Sequence, residues 1–374
     1  MENNSNMMNK SLVGKIDVGV ETNVLTNAES SISSTSKFLN TEVPRQNIKT
    51  LKYVDNLNIP EGATVVDVSK SGDNTIKMWY NEADANGNYD ITIGSNNIIY
   101  ANPSGSNLFS NLTNVTSIDL SNLDTSGIAG MNGMFENDKV LTNIVFGDNF
   151  NTSNATNMTA MFRECNNLTE LDLRMFDTSN VRNMGSMFLN CTKLESLDLS
   201  MFDTSNVMDM GGMFLNCTKL ESLDLSSFDT SSITNFGKIF YHCTSLKSLN
   251  VSHFNTSNVK TMSNMFSSLK CSLDLSNFDT SNVDNLSQMF MYYKNERLDL
   301  SSFDTSKVTS TNHMFASSSI EYIDLRNADF SNVTDYTNMF KGISKSTIIY
   351  LKDTTGNRNF MNTNFNNITA TYIS

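Results

Sequence analysis

A triplet of apolar, acidic and apolar residues returns along most of this chain at a nearly constant interval, and that interval rules out a fold built around one compact core. Leu171-Asp172-Leu173 recurs as Leu197-Asp198-Leu199 and Leu223-Asp224-Leu225, then in varied form as Leu249-Asn250-Val251, Leu273-Asp274-Leu275, Leu298-Asp299-Leu300 and Ile323-Asp324-Leu325. Ile118-Asp119-Leu120 and the degenerate Ile144-Val145-Phe146 precede the series, and Ile348-Ile349-Tyr350 closes it. A Met-Phe pair keeps step, from Met134-Phe135 to Met339-Phe340, with Ile239-Phe240 in one slot. The period is about 26 residues at first and about 25 later, so repeats decide the architecture.

The stretch from Leu171 to Ser196 predicts how one period folds. Leu171 and Leu173 alternate with Asp172, the pattern of a short strand with one buried face. Phe176 turns inward before the polar corner Asp177-Thr178-Ser179-Asn180, whose side chains suit a helix N-terminus. Val181, Met184, Met187 and Phe188 then share one face of about two helical turns. Cys191 and Leu194 lead back to Leu197 in leucine-rich-repeat spacing. Neither piece is stable alone, so the units must stack. The expected class is α/β: a leucine-rich-repeat-like β/α solenoid of about ten rungs over 111–350. At roughly 4.8 Å per strand its parallel sheet would run on the order of 45 Å.

The ends break the pattern. Residues 1–44 are rich in Ser, Asn and Thr without apolar periodicity, and are expected to be disordered. Over 45–110, Thr64–Val68, Ile76–Tyr80 and Tyr89–Ile93 read as strands, with Asn86-Gly87 as a hairpin turn and Trp79 in the core of a small β cap. Residues 351–374 are assigned to a C-terminal cap, with closing strands expected at 348–352 and 368–373.

The unit L-D-L-S-x-F-D-T-S-N-V-x-x-M-x-x-M-F-x-x-C-x-x-L-x-S resembles the repeat of the BspA-like leucine-rich-repeat surface proteins, a repeat also found in mycoplasma surface lipoproteins. The stretch from Asp67-Val68-Ser69 to Trp79, followed by Tyr100-Ala101-Asn102-Pro103, is similar to the segment that precedes such repeats. The resemblance implies a bacterial surface-exposed binding protein that adheres to host or matrix components, with no catalytic motif to carry over.

Candidate functional residues follow from the repeat. Asp119, Asp172, Asp198, Asp224, Asp274, Asp299 and Asp324 occupy the middle of each strand, and alternation points them away from the core. This acidic column is either a solvated face or a platform for a protein or glycan partner, cationic in character. Calcium is the weaker expectation, because it needs six to eight converging oxygens and a linear column offers few per site. A second series, Asp124, Asp177, Asp203, Asp229, Asp279, Asp304 and Asp329, is expected to bond backbone N–H groups at turns.

Other chemistry is disfavoured. A net charge of −13 opposes binding to a phosphate backbone. No window approaches the ~18 apolar residues of a membrane span. Cys165, Cys191, Cys217 and Cys243 recur once per unit, which predicts small core spacers rather than a disulfide framework or zinc site. His242, His253 and His313 share no partner pattern, so neither an enzyme nor a bound cofactor is expected. Met1-Glu2-Asn3-Asn4-Ser5 has no basic stretch leading into an apolar one, and Thr371–Ser374 shows no anchor motif. A surface binding module is the first reading; a structural spacer and an intracellular interaction scaffold are the others.

Overall fold

A computed structural model of the protein describes residues 23–26, 32–365 and 368–373. Part of the leader expected to be disordered lies outside these residues. The described part is packed, which moves the start of the ordered chain ahead of residue 45. Leu25, Phe38, Leu39 and Val43 are buried, and the Phe38 N–H donates to the Val43 carbonyl at 2.8 Å. A composition dominated by Ser and Thr hides these four apolar anchors.

The cap consists of β1 (Ile48–Val54), β2 (Thr64–Asp67), β3 (Lys77–Tyr80), β4 (Tyr89–Gly94) and the short β5 (Ile99–Tyr100). It is followed by β6 (Ser117–Asp119), β7 (Leu123–Asp124) and β8 (Asn143–Val145). Six of these make one sheet in the order β2-β3-β4-β1-β6-β8. Strands β3 and β4 pair antiparallel around Asn86-Gly87, where Gly87 has φ +78°, a conformation that glycine adopts freely. β1 lies parallel between β4 and β6, with Leu51 opposite both Ile91 and Ile118. The cap therefore hydrogen-bonds directly into the first repeat. Trp79 is buried in it, and a Cβ on Gly94 would come within 2.5 Å of the Trp79 ring.

At the other end β9 (Arg297–Asp299), β10 (Tyr322–Leu325), β11 (Ile348–Lys352) and β12 (Ala370–Ile373) form a parallel sheet. Helix α1 (Thr355–Asn364), which the sequence pattern did not suggest, connects β11 to β12. Its N-cap is Thr354, whose hydroxyl accepts the Asn357 N–H at 3.0 Å.

Between the two sheets the repeats differ from expectation on two sides. Val181, Met184, Met187 and Phe188 are buried as one face, yet they belong to turns and not to an α-helix. Met187 and Leu189 donate back to the carbonyls of Met184 and Ser186, whereas Ser186, Phe188 and Asn190 donate to Gly211, Met213 and Leu215 of the next repeat at 2.8–2.9 Å. Every second amide is thus drawn to the neighbouring repeat, which leaves no continuous i→i−4 ladder. Ser186 (φ +57°) and Asn190 (φ +61°) take left-handed backbone to allow it. An unbroken series of parallel bridges, Gly130–Asn157–Asn183–Asp209–Asn235–Thr261–Asn285–Ser310–Asp335, runs along the same side.

The Leu-Asp-Leu side is the reverse. The continuous sheet expected there exists only in the two end blocks. At 171–173, 197–199, 223–225, 249–251 and 273–275 the triplets make no backbone hydrogen bond to a neighbouring triplet. Single bonds just ahead of them, such as Glu221 N–H to the Glu195 carbonyl at 3.1 Å, are what join the repeats on that side. Among the described residues the architecture is mostly sheet and turn, with parallel pairing, repeated units and few helices.

Side chains complete the joints. The rings of Phe162, Phe188, Phe214 and Phe240 stack at 5.7, 5.8 and 6.0 Å between successive centroids, within the range for favourable aromatic pairs. Thr178, 1% exposed, donates to the Asp203 carbonyl at 2.9 Å and accepts the Asp203 N–H at 2.8 Å. Thr152 and Thr305 repeat the arrangement with Asp177 and Asp329. Each cysteine of the column donates its thiol to a Phe carbonyl of the preceding repeat, as Cys191 does to Phe162 at 3.1 Å.

Candidate binding site

The acidic strand column does a local job before any other. An aspartate two residues ahead of an amide can close a turn by accepting its N–H, and the column members do this. Asp119, Asp198, Asp224, Asp274 and Asp299 accept the N–H of Ser121, Ser200, Ser226, Ser276 and Ser301 at 2.9–3.1 Å. Asp172 accepts from Arg174 instead, and the guanidinium closes on the same carboxylate at 2.9 and 2.7 Å. Hydrogen bonds from Arg174 hold Asp172 down at about 2. The Ser200 and Ser276 hydroxyls lower Asp198 and Asp274, and the Ser226 amide lowers Asp224.

Six of the seven lie on or near the surface, and one does not. Asp324 is 2% exposed, because Arg326 folds over it with Nε at 3.0 Å beside the ring of Tyr322. Strand alternation points Asp324 to an open face, but the long Arg326 side chain covers that face of the strand. The second series behaves as expected: Asp177, Asp203, Asp229, Asp279 and Asp329 accept the N–H of the serine two residues on.

A third column was missed. Asn183, Asp209 and Asn235 accept the N–H of Gly185, Gly211 and Gly237 at 2.7–2.8 Å. The three repeats that start at Leu171, Leu197 and Leu223 therefore each turn three corners with the same device. The signal was present in the recurring Asn/Asp-x-Gly spacing. These residues line an open groove of about 530 Å³ with Ser186 and Leu215.

On the Leu-Asp-Leu side, a cleft of about 520 Å³ opens where β8 ends the first sheet and the next triplet does not pair with it. Asn143, Glu170, Asp172, Arg174 and Asp198 line it. Ile144, Leu171 and Leu173 supply its apolar lining, and the exposed Val145 and Met175 follow lining residues directly in sequence. With Asp172 matched by Arg174, Glu170 and Asp198 carry the cleft's excess negative charge. Two of the three histidines are tied between repeats: His253 Nε2 lies 2.9 Å from the Leu225 carbonyl and His313 Nε2 3.1 Å from Asn338. Among the described residues no three of His, Cys, Asp and Glu are grouped to hold a metal ion, and no helix is long and apolar enough to cross a membrane.

The family model described as "Mycoplasma protein of unknown function, DUF285" matches residues 104–198, 186–273 and 268–371. The chain belongs to this family. Its DUF285 segments begin just after the β cap, cover every Met-Phe repeat and reach β12. No curated protein matches the chain, and no solved structure does.

Proposed function

We propose that this DUF285 protein is a non-enzymatic binding module of a bacterial cell surface, a leucine-rich-repeat-like solenoid of about ten rungs in the manner of the BspA-like proteins. Its partner is a protein or glycan with cationic groups, held against the exposed Leu-Asp-Leu face. The observation that carries this reading is the cleft between β8 and the triplet at Leu171, where the sheet opens and Glu170 and Asp198 line the gap beside Ile144 and Leu171. Extended repeat surfaces of this kind suit contact with large partners. The family's occurrence in Mycoplasma proteins supports a bacterial setting. Protease added to intact cells provides the test. Loss of the chain while a cytoplasmic marker survives is expected; protection of both would overturn the surface assignment.

A second reading, a spacer that binds nothing, draws support from the Asp column itself. Each of its carboxylates is engaged in a turn bond that a ligand-free protein would equally need. Pull-down with the parent and with an Asp198→Asn/Glu170→Gln variant separates the two readings: capture by the parent that falls in the variant favours the binding module, and no capture by the parent favours the spacer.

A further inference from the structure

The corner that leads into each Leu-Asp-Leu segment changes character at one place. Cys191, Cys217 and Cys243 each stand six positions before the first leucine of the next triplet, Leu197, Leu223 and Leu249. Leu269, which takes the cysteine's place in the following unit, stands four positions before Leu273, and Tyr293 stands five before Leu298. The shortened corners leave a pocket of about 340 Å³ lined by His242, Thr244, Ser268, Lys270, Tyr292 and Lys294. No carboxylate is among the lining residues, in a chain of net charge −13.

The polar groups in this pocket are unspent. In earlier repeats the position of His242 belongs to an amide ladder, with Asn190 Nδ2 on Glu164 at 2.6 Å and Asn216 Nδ2 on Asn190 at 2.7 Å. The ladder stops where His242, Ser268 and Tyr292 replace asparagine. Ser268 is 8% exposed, and its hydroxyl, on the pocket wall, has no partner among the described residues. Solvent reaches this oxygen through the pocket, so it is free to bond a ligand there. Lys270 and Lys294 form no ion pair among the described residues; Glu221, whose charge reaches Lys270, is itself bound to Lys247 at 2.6 Å. Tyr292 is 43% exposed.

Two free ammonium groups and a free hydroxyl select an oxyanion, and the volume is several times what a sulfate or carboxylate group fills. An exposed tyrosine offers an apolar face with a polar tip, which suits the C–H face of a sugar ring. We propose that this pocket binds an acidic sugar, sulfated or carboxylated, with Lys270 and Lys294 on the charge, Ser268 donating its hydroxyl and Tyr292 packed against the ring. The site lies off the Leu-Asp-Leu face and takes a ligand of the opposite charge, so it stands independently of the reading above.

Calorimetric titration of the full chain tests it with four probes: a chondroitin sulfate oligosaccharide, sialyllactose, lactose and inorganic sulfate. At least one acidic sugar should bind, more weakly as salt is raised, while lactose does not. The Lys270→Ala/Lys294→Ala variant should lose about tenfold or more in affinity. A Lys193→Ala/Lys219→Ala variant, which removes the same charge from unshortened corners, should bind as the parent does. Tyr292→Ala should weaken the sugar and leave any inorganic sulfate binding unchanged. Failure of both acidic sugars to bind, or equal losses in the two lysine variants, would overturn the site. Inorganic sulfate bound as tightly as the better sugar would overturn its assignment to a sugar.

Discussion

Replacing Thr178 with valine isolates the joint between two repeats. The threonine is buried, and its hydroxyl both donates to the Asp203 carbonyl at 2.9 Å and accepts the Asp203 N–H at 2.8 Å. Valine keeps the shape and removes both bonds. One hydrogen bond is worth about 0.5–1.5 kcal/mol net, and a donor left buried without a partner adds about 1–3 kcal/mol. The Asp203 amide is only partly buried, so the lower end applies. We expect a loss of about 2 kcal/mol, roughly a 30-fold increase in local opening. Hydrogen exchange at the Asp203 amide is the appropriate assay, because repeat arrays lose all-or-none unfolding and a global midpoint averages over joints. Thr178→Ser is the control: it keeps both bonds and gives up one methyl, about 0.8 kcal/mol. If valine leaves Asp203 protection within about threefold of the parent, about 0.65 kcal/mol, or if serine costs as much as valine, the hydroxyl does not join the repeats.

Two further outcomes concern the titrating groups. Hydrogen bonds from serine side chains and amides hold Asp198, Asp203, Asp229, Asp274 and Asp279 below the ordinary carboxylate range. Their folded values lie below the unfolded one, so this stabilisation is complete above an unfolded value of about 4 and is lost as pH falls through the depressed values. Melting temperature should hold from pH 7 to about 5 and drop below about 4, and Asp203→Asn, which keeps the acceptor, should lessen the drop; equal melting at pH 6 and 2.5 would contradict this. Burial pushes the Cys191 and Cys243 thiols up to about 12, and Cys165 and Cys217 are raised for the same reason. Ellman's reagent at pH 8 should find none of these four before unfolding and all of them after it. Prompt reaction at any one would show that the column is open to solvent.

The stacking of repeats was legible because apolar side chains kept one period across the chain: Val181, Met184, Met187, Phe188, Cys191 and Leu194 are all buried as that period required. What misled was the inference from shared face to helix. Spacings of three and four place side chains together in a helix, but a series of three-residue turns with left-handed breaks at Ser186 and Asn190 achieves the same burial. Gly185 within that segment, and Gly211, Gly212 and Gly237 at its counterparts in the next two repeats, argue against a helix. The sheet was over-read for a different reason. Alternation reports which side of a segment is buried, not whether its backbone finds a partner, and the triplets from Leu171 to Leu275 satisfy the first without the second. The pocket at Lys270 was written in a change of interval from six to four residues, too small to disturb the visible period.

The two-sided joining of the repeats has a consequence for how such a gene can change. Residues 189–200 and 215–226 are identical in sequence, 26 positions apart, so unequal crossing-over between them would delete or duplicate one whole unit. Every threonine peg, cysteine donor and stacked ring would then meet an equivalent neighbour. A loss of one or two residues is a different event. On the side of the continuous ladder it would misplace each amide that bonds forward, whereas the corners before the Leu-Asp-Leu triplets already tolerate it, at Lys270 ahead of an open triplet and at Lys294 ahead of β9. Length is thus quantised on one side of the molecule and negotiable on the other, and new binding surfaces have their cheapest origin on the negotiable side.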